Sequence, residues 1–222
     1  MVKVVSFSLY GTKGTYILGM KENIKLSQQY YPEWEVRIHY NDTVPQKYID
    51  EYIAMGAKCL KQSNIGENKM NWEGMFWRWL PLDDNNVSIW ISRDADSRID
   101  EREASIVNEW EKSGKTLHCI RDHRCHTHCI MGGMFGINNT LFHSKYKFDT
   151  VEHIIKSSHS YYKERPYNVD QEFLNRYVWD LLKNDVMAHI SNQGRRVYES
   201  DIEIPSVPNF IGKQYRLNDD LS

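Results

Sequence analysis

Apolar positions crowd the start of the chain: Val2, Val4, Val5 and Phe7 predict a first strand, closed by a turn around Gly11 and Gly14. A helix should follow through about Gln29 and stop at "YYPEW", where Pro32 biases its neighbour away from helix. "EVRIHY" alternates like a second strand and ends at Asn41-Asp42. Pro45 opens and Gly56 closes a helix over "PQKYIDEYIAMG". "AKCLKQ" is a short third strand, and Ser63 to Lys69 is a polar loop. "NWEGMFWRWLPL" predicts an aromatic-rich helix, and "VSIWIS", Val87 to Ser92, is the most strand-like segment of all. "DEREASIVNEWEKSG" begins with a capping pair, Asp100 and Glu103, and ends at Gly114. "TLHCIR" is strand-like again, and the helix "NVDQEFLNRYVWDLLK" leads into a last strand, "VMAHI".

This alternation predicts one α/β domain with a mostly parallel central sheet. Ligands of such sheets gather beyond the carboxyl ends of the strands. That rule nominates Ser8, Leu9 and Tyr10, then Asn41-Asp42, Asp94 to Asp96, and Arg121 to His123, as neighbours around one cleft.

Composition narrows the function. A hydrophobic fraction of 41% over 222 residues suffices for a core, and a net charge of −2 gives no reason to expect nucleic acid or an anionic membrane as partner. No apolar run is long enough to span a bilayer, and "MVKVVSFSLYG" lacks the apolar region and cleavage site of a signal peptide. A cytoplasmic protein with reduced thiols is the expectation. The stretch "HCIRDHRCHTHCI", His118 to Ile130, concentrates histidine and cysteine. Its cysteines Cys119, Cys125 and Cys129 nevertheless lack the C-x2-C knuckle that structural zinc sites usually supply.

"LYGTKGTYILG" fits neither a dinucleotide-binding nor a P-loop pattern. "DAD", Asp94 to Asp96, is more informative. Two carboxylates at i and i+2 leaving a strand can approach one hard cation, and Mg2+ or Mn2+ can bridge them to the phosphates of a nucleotide. Aspartate after a strand is equally ordinary turn chemistry.

The stretch "ISRDADSRIDEREASIVNEWEKSGKTLHCIRDH", followed by "IMGGMFGIN", resembles nucleotide-diphospho-sugar glycosyltransferases of the GT-A fold. The pattern runs from Arg93 to Arg98, through Arg102-Glu103, Trp110 and Arg121 to His123, to Gly132–Gly136. Weaker pieces extend it from about residue 4 to 215, among them "MFWRWLPLDD", "VDQEFL", "AHIS" and "FIGKQY". The likeness is to enzymes of large algal viruses and bacterial polysaccharide clusters.

The resemblance implies a single Rossmann-like GT-A catalytic domain over residues 1–222, whose last residues, about 15, form a candidate tail. It also implies a UDP-linked sugar donor, a glycan hydroxyl as acceptor, and Mn2+ or Mg2+ held by Asp94 and Asp96 with His189 completing the site. Donor contacts would come from Ser8, Leu9, Tyr10, Asn41, Arg78, Arg93, Asp94, Gly132, Gly133 and Gln171. Arginine suits phosphate because its planar fork donates two hydrogen bonds. Asp122 and Asp170 are the candidate catalytic carboxylates, with His123 and His126 on the acceptor side. "DQ" before the late helix looks more like retaining than inverting GT-A enzymes, so the resemblance implies retention of configuration. Two rival readings stand beside this one: a D-x-D phosphohydrolase, and a zinc-binding module built on His118–Cys129.

Overall fold

The computed structural model describes residues 1–63, 73–162 and 168–216. Most of the predicted loop at 63–69, and Asn71-Trp72 at the head of the predicted aromatic helix, lie outside the described residues. The chain runs β1 (Val2–Leu9), α1 (Gly14–Tyr30), β2 (Trp34–Tyr40), α2 (Gln46–Ala54), β3 (Lys58–Lys61) and α3 (Gly74–Trp77). A 3-10 turn, Leu80–Asp83, then leads to β4 (Val87–Ser92), α4 (Glu101–Lys112), β5 (Leu117–Arg121) and β6 (Phe135–Asn138). Next come α5 (Asn139–Lys145), α6 (Val151–Tyr162) and α7 (Val169–Phe173). A π-helical turn, Leu174–Val178, joins α7 to α8 (Trp179–Leu182), before β7 (Val186–Ile190) and β8 (Ile202–Glu203).

The strands form an eight-stranded sheet in the order β3-β2-β1-β4-β6-β5-β7-β8. It is parallel except at β6, which pairs antiparallel with both β4 and β5. The α/β class and the mostly parallel sheet agree with the sequence, but β6 does not. "FGIN" is too short for its alternation to predict a strand, and only pairing on both sides makes it one. The aromatic helix is interrupted too. Among the described residues α3 ends at Trp77, since Pro81 has no N–H to continue an α-helical ladder.

Side chains alternate across the strands into two cores. Val5, Phe7, Ile89 and Ile91 pack with α1, α2 and α4, whereas Val4 and Trp90 pack with the 3-10 turn and α5 to α8. The Trp90 indole donates to Asn139 Oδ1 at 2.8 Å, so its polar edge is satisfied at full burial. Asp100 caps α4 by accepting from the Glu103 N–H at 2.7 Å, as the sequence predicts.

Burial has a titration consequence at His39 on β2. Its pKa is held down to about 3 by burial, with Arg37 adding to the effect. Unfolded, the same imidazole titrates near ~6.5. The unfolded chain therefore takes up a proton that the fold refuses, and stability contributed above pH ~6.5 is lost as pH falls towards 3. In urea unfolding across this window, His39→Gln should flatten the pH slope by up to about 1.4 kcal/mol per pH unit. An unchanged slope would mean that His39 is not buried neutral.

Candidate active site

The "DAD" turn is seated by α1. Asn23, fully buried on that helix, donates to the carbonyls of Ala95 at 3.2 Å and Ser97 at 2.8 Å, and accepts from the Ile99 N–H at 3.3 Å. One turn earlier, any Cβ at Gly19 would overlap the Ala95 carbonyl. Neither residue stands out in the sequence as functional, since a polar or small residue within a helix gives no sign of what it touches.

Around this turn the structure gathers much of the predicted donor site. Arg78, 9% exposed at the end of α3, is tied to the end of β1 by its N–H, which donates to Ser8 Oγ at 2.8 Å. Its guanidinium bridges two carboxylates: Nη1 pairs with Asp94 Oδ1, and Nη2 with Asp170 Oδ2 at 2.9 Å. Burial works against the Arg78 charge, but Asp94 and Asp170 outweigh it and hold the group protonated. Asp170, on α7, is 6% exposed, and burial raises its carboxyl although Arg78 pulls the other way.

Gly132 and Gly133 lie directly against this cluster. A Cβ on Gly132 would come within 2.5 Å of Arg78 Nη2 and 2.9 Å of Asp170 Oδ2, and one on Gly133 would overlap the Asp94 carboxylate. A side chain at either position would therefore displace Arg78, Asp170 or Asp94 from this arrangement. Gln171 clamps the same loop: its Oε1 accepts from the Gly132 N–H at 3.1 Å, and its Nε2 donates to the Ile130 carbonyl. With both ends of its amide engaged, Gln171 positions the glycine loop. Tyr10 packs over Gly74 and edge-on to Trp77, within electrostatic reach of Arg78, Asp170 and Asp94. Burial is the main cause that pushes its hydroxyl up to about 12. Leu9, 1% exposed, is core, and Asn41 orients Thr43, which accepts from the Gly11 N–H at 2.7 Å.

The second aspartate of the motif meets the end of the described chain. Asp96 Oδ2 accepts from Gln214 Nε2 at 2.5 Å, and its carbonyl accepts from the Tyr215 N–H at 2.7 Å. Burial first, then the neighbouring Asp94, raises the Asp96 carboxyl. Sequence reasoning missed Gln214, whose only signal was its place inside the weak "FIGKQY" similarity.

Besides Leu9, three further expected site residues are corrected by the geometry. Arg93 is core: 1% exposed, it pairs with Glu103 at 2.6 Å and donates to the carbonyls of Ser92 and Phe135. His189, fully buried on β7, has Nδ1 at 2.9 Å from His118 Nε2 and its own Nε2 at 3.2 Å from Glu109 Oε2. Both of its ring nitrogens are engaged beside α4, so it does not join Asp94 and Asp96. Asp122 is an anchor. Arg102 grips its carboxylate at both oxygens, and the Ile211 N–H donates to Oδ2 at 2.8 Å, which fills the positions a general base would need.

The histidine-rich stretch disperses. His118 stacks on Trp110, Cys119 faces the opposite core, and Cys125 and His128 are exposed. Arg121 is buried against Asp201 at 2.7 Å. His126 accepts from the Asp122 N–H at 3.0 Å, and burial lowers its pKa to about 4. His123 stacks on Phe210 with ring centroids 3.9 Å apart. Among the described residues no group of three or more His, Cys, Asp or Glu side chains could hold a metal, so the zinc module loses its site.

The fit of Mg2+ or Mn2+ rests on Asp94 and Asp96. Asp94 has its Oδ2 outside the Arg78 pair, and Asp96 accepts from Gln214 and from its own backbone N–H. Asp94, Asp96 and Asp170 also set three carboxylates around the Arg78 guanidinium. Magnesium is commonly bound by one or two carboxylates plus substrate phosphates, so two aspartates without His189 still suit it.

No protein-family model matches the chain, and no curated protein matches it. Solved structures do. Glucosyl-3-phosphoglycerate synthase of Mycobacterium tuberculosis is 11% identical, with 99% of this chain and 75% of that one covered at a TM-score of 0.50. The apo-form glycosyltransferase GlyE of Streptococcus pneumoniae is 18% identical, with 84% and 44% covered and a TM-score of 0.50. A glycosyltransferase involved in glycosylation of the major capsid of PBCV-1 is 13% identical, with 85% and 81% covered and a TM-score of 0.48. The chain thus spans less than half the length of the streptococcal protein. Among the described residues no helix is long and apolar enough to cross a membrane. The fold is that of GT-A glycosyltransferases.

Proposed function

We propose that the chain is a single-domain, metal-dependent glycosyltransferase that moves a sugar from a UDP-linked donor to a hydroxyl of a glycan acceptor. One juxtaposition carries the reading: Asp94, Arg78 and Asp170 meet at the carboxyl end of β4 against Gly132 and Gly133. Mn2+ or Mg2+ at Asp94 and Asp96 would neutralise charge on the departing diphosphate. Arg78 can exchange a carboxylate for a phosphate oxygen, because its fork fits either. The bare glycine backbone lets the donor sugar lie directly against the cluster. Asp170 faces that space and orients the sugar, stabilising positive charge that develops on it. With Asp122 engaged by Arg102, a base for inversion is lacking there, which supports retention. On this reading His123 and His126 belong to the acceptor side, where their rings meet edge-on with centroids 6.4 Å apart.

Thermal unfolding with a panel of nucleotide sugars, with and without Mn2+, tests this. A UDP-sugar with Mn2+ should raise Tm, reflecting about 2.7 kcal/mol at a hundredfold excess over Kd, and Asp96→Ala should abolish the shift. A folded protein that responds to no nucleotide sugar refutes the transferase. If Asp96→Ala behaves like the parent, the metal site is elsewhere.

A further inference from the structure

A cavity of about 450 Å3 lies away from this site. It opens where β1 and β2 begin and is walled by α4. Lys3 and Trp34 are register partners at the start of the sheet, whereas Leu9 and Tyr40 are partners at its carboxyl end. Six residues at ~3.3 Å each place the cavity roughly 20 Å from the strand ends that carry the donor site. Its volume is in the range of small-molecule pockets, roughly 300–1,000 Å3.

The walls are of two kinds. On one side are aromatic rings: Trp34 is half-buried and tilted against Tyr31 with centroids 5.2 Å apart, and Tyr30 stands beside them. On the other side α4 presents Glu101, Ser105 and Asn108, all exposed, at the i, i+4, i+7 spacing of one helix face. Lys3 is held in place by an ion pair with Glu111, and its ammonium sits 5.8 Å from the Trp34 ring centroid. Glu33, Glu101 and Glu111 against this one lysine leave the cavity net negative.

Rings that offer an apolar face, opposed by carboxylates and a carboxamide, match a ligand with C–H groups on one side and hydroxyls on the other. Carboxylates accept from hydroxyls in strong, charge-assisted bonds, and the negative balance repels phosphate and uronate. We infer that this cavity is a second carbohydrate site that binds neutral sugar units of a glycan chain, distinct from the transfer site. It extends the transferase reading: a glycan held here would present its free end at raised effective concentration. Saccharide binding itself does not depend on transfer.

The test uses Asp94→Asn protein without nucleotide, so its outcome is separate from donor chemistry. Neutral tetrasaccharides built on glucose, galactose, mannose or N-acetylglucosamine are titrated while the indole N–H resonance of Trp34 is followed by NMR. At least one should shift that resonance saturably. Ser105→Arg, which fills the groove from an exposed position, should weaken binding at least about tenfold. Trp34→Ala should remove binding measured by calorimetry, with Ser105→Arg covering the case in which Trp34→Ala fails to fold. An oligogalacturonate should not compete. If no tetrasaccharide moves the resonance, or Ser105→Arg binds like its parent, the site is refuted. A response to a lysine-rich peptide alone would refute it equally, marking a cation-binding surface instead.

Discussion

In the proposed transferase, Arg78→Met is expected to lower sugar transfer by roughly 10²–10³-fold and to destabilise the fold by roughly 3–5 kcal/mol. Both effects follow from one position. The guanidinium lies between Asp94 and Asp170, and its removal leaves Asp170, 9% exposed at its side chain, buried without a counter-charge. That carboxyl is already pushed up by burial with Arg78 present, so the variant should hold it protonated to higher pH still. Adding Asp170→Asn removes the stranded charge and should restore most of the stability while transfer stays low. Urea unfolding and transfer assays on the three proteins separate the two effects. Full turnover by a folded Arg78→Met variant would take this arginine out of the mechanism.

The second large effect concerns Arg93, which the motif placed at the donor. Arg93→Met alone should cost roughly 3–5 kcal/mol, because Glu103, 2% exposed, loses its partner in a dry setting. Burial pushes the Glu103 carboxyl up even with Arg93 beside it, so desolvation already offsets much of the attraction. The double variant Arg93→Met/Glu103→Leu should therefore recover to within about 1–2 kcal/mol of the parent, as replaced buried pairs often do. Its donor affinity should match the parent's. A double variant that is stable yet binds UDP-sugar tenfold more weakly or worse would return Arg93 to the donor site.

These two arginines illustrate what a motif can and cannot say. Both stand close to the "DAD" turn, one in the preceding helix and one at the end of its strand, and both have the side chain that phosphate favours. Backbone direction separates them. Arg93 turns towards α4, where Glu103 and the Tyr31 hydroxyl await it, and Arg78 turns towards the glycine loop. Asp122 and Asp170 divide in the same way: each is a buried carboxylate, but Arg102 and the Ile211 N–H enclose the first.

The sequence by itself determined the alternation of strands and helices, the capped start of α4, and the placing of "DAD" at a strand end. All of these depend on neighbours within a few positions along the chain, where periodicity and capping act. The resemblance also nominated Gly132 and Gly133 as donor contacts. Only the tertiary structure decided that β6 is a strand, that Asn23 seats the aspartate turn, that His189 is engaged by His118 and Glu109, and that Gln214 reaches Asp96. Apart from the pairing of β6 with β5, each of these contacts joins residues more than 40 positions apart. Whether a buried polar side chain becomes an anchor or stays open to a ligand depends on the partner the fold brings to it, and that partner leaves no local trace in the chain.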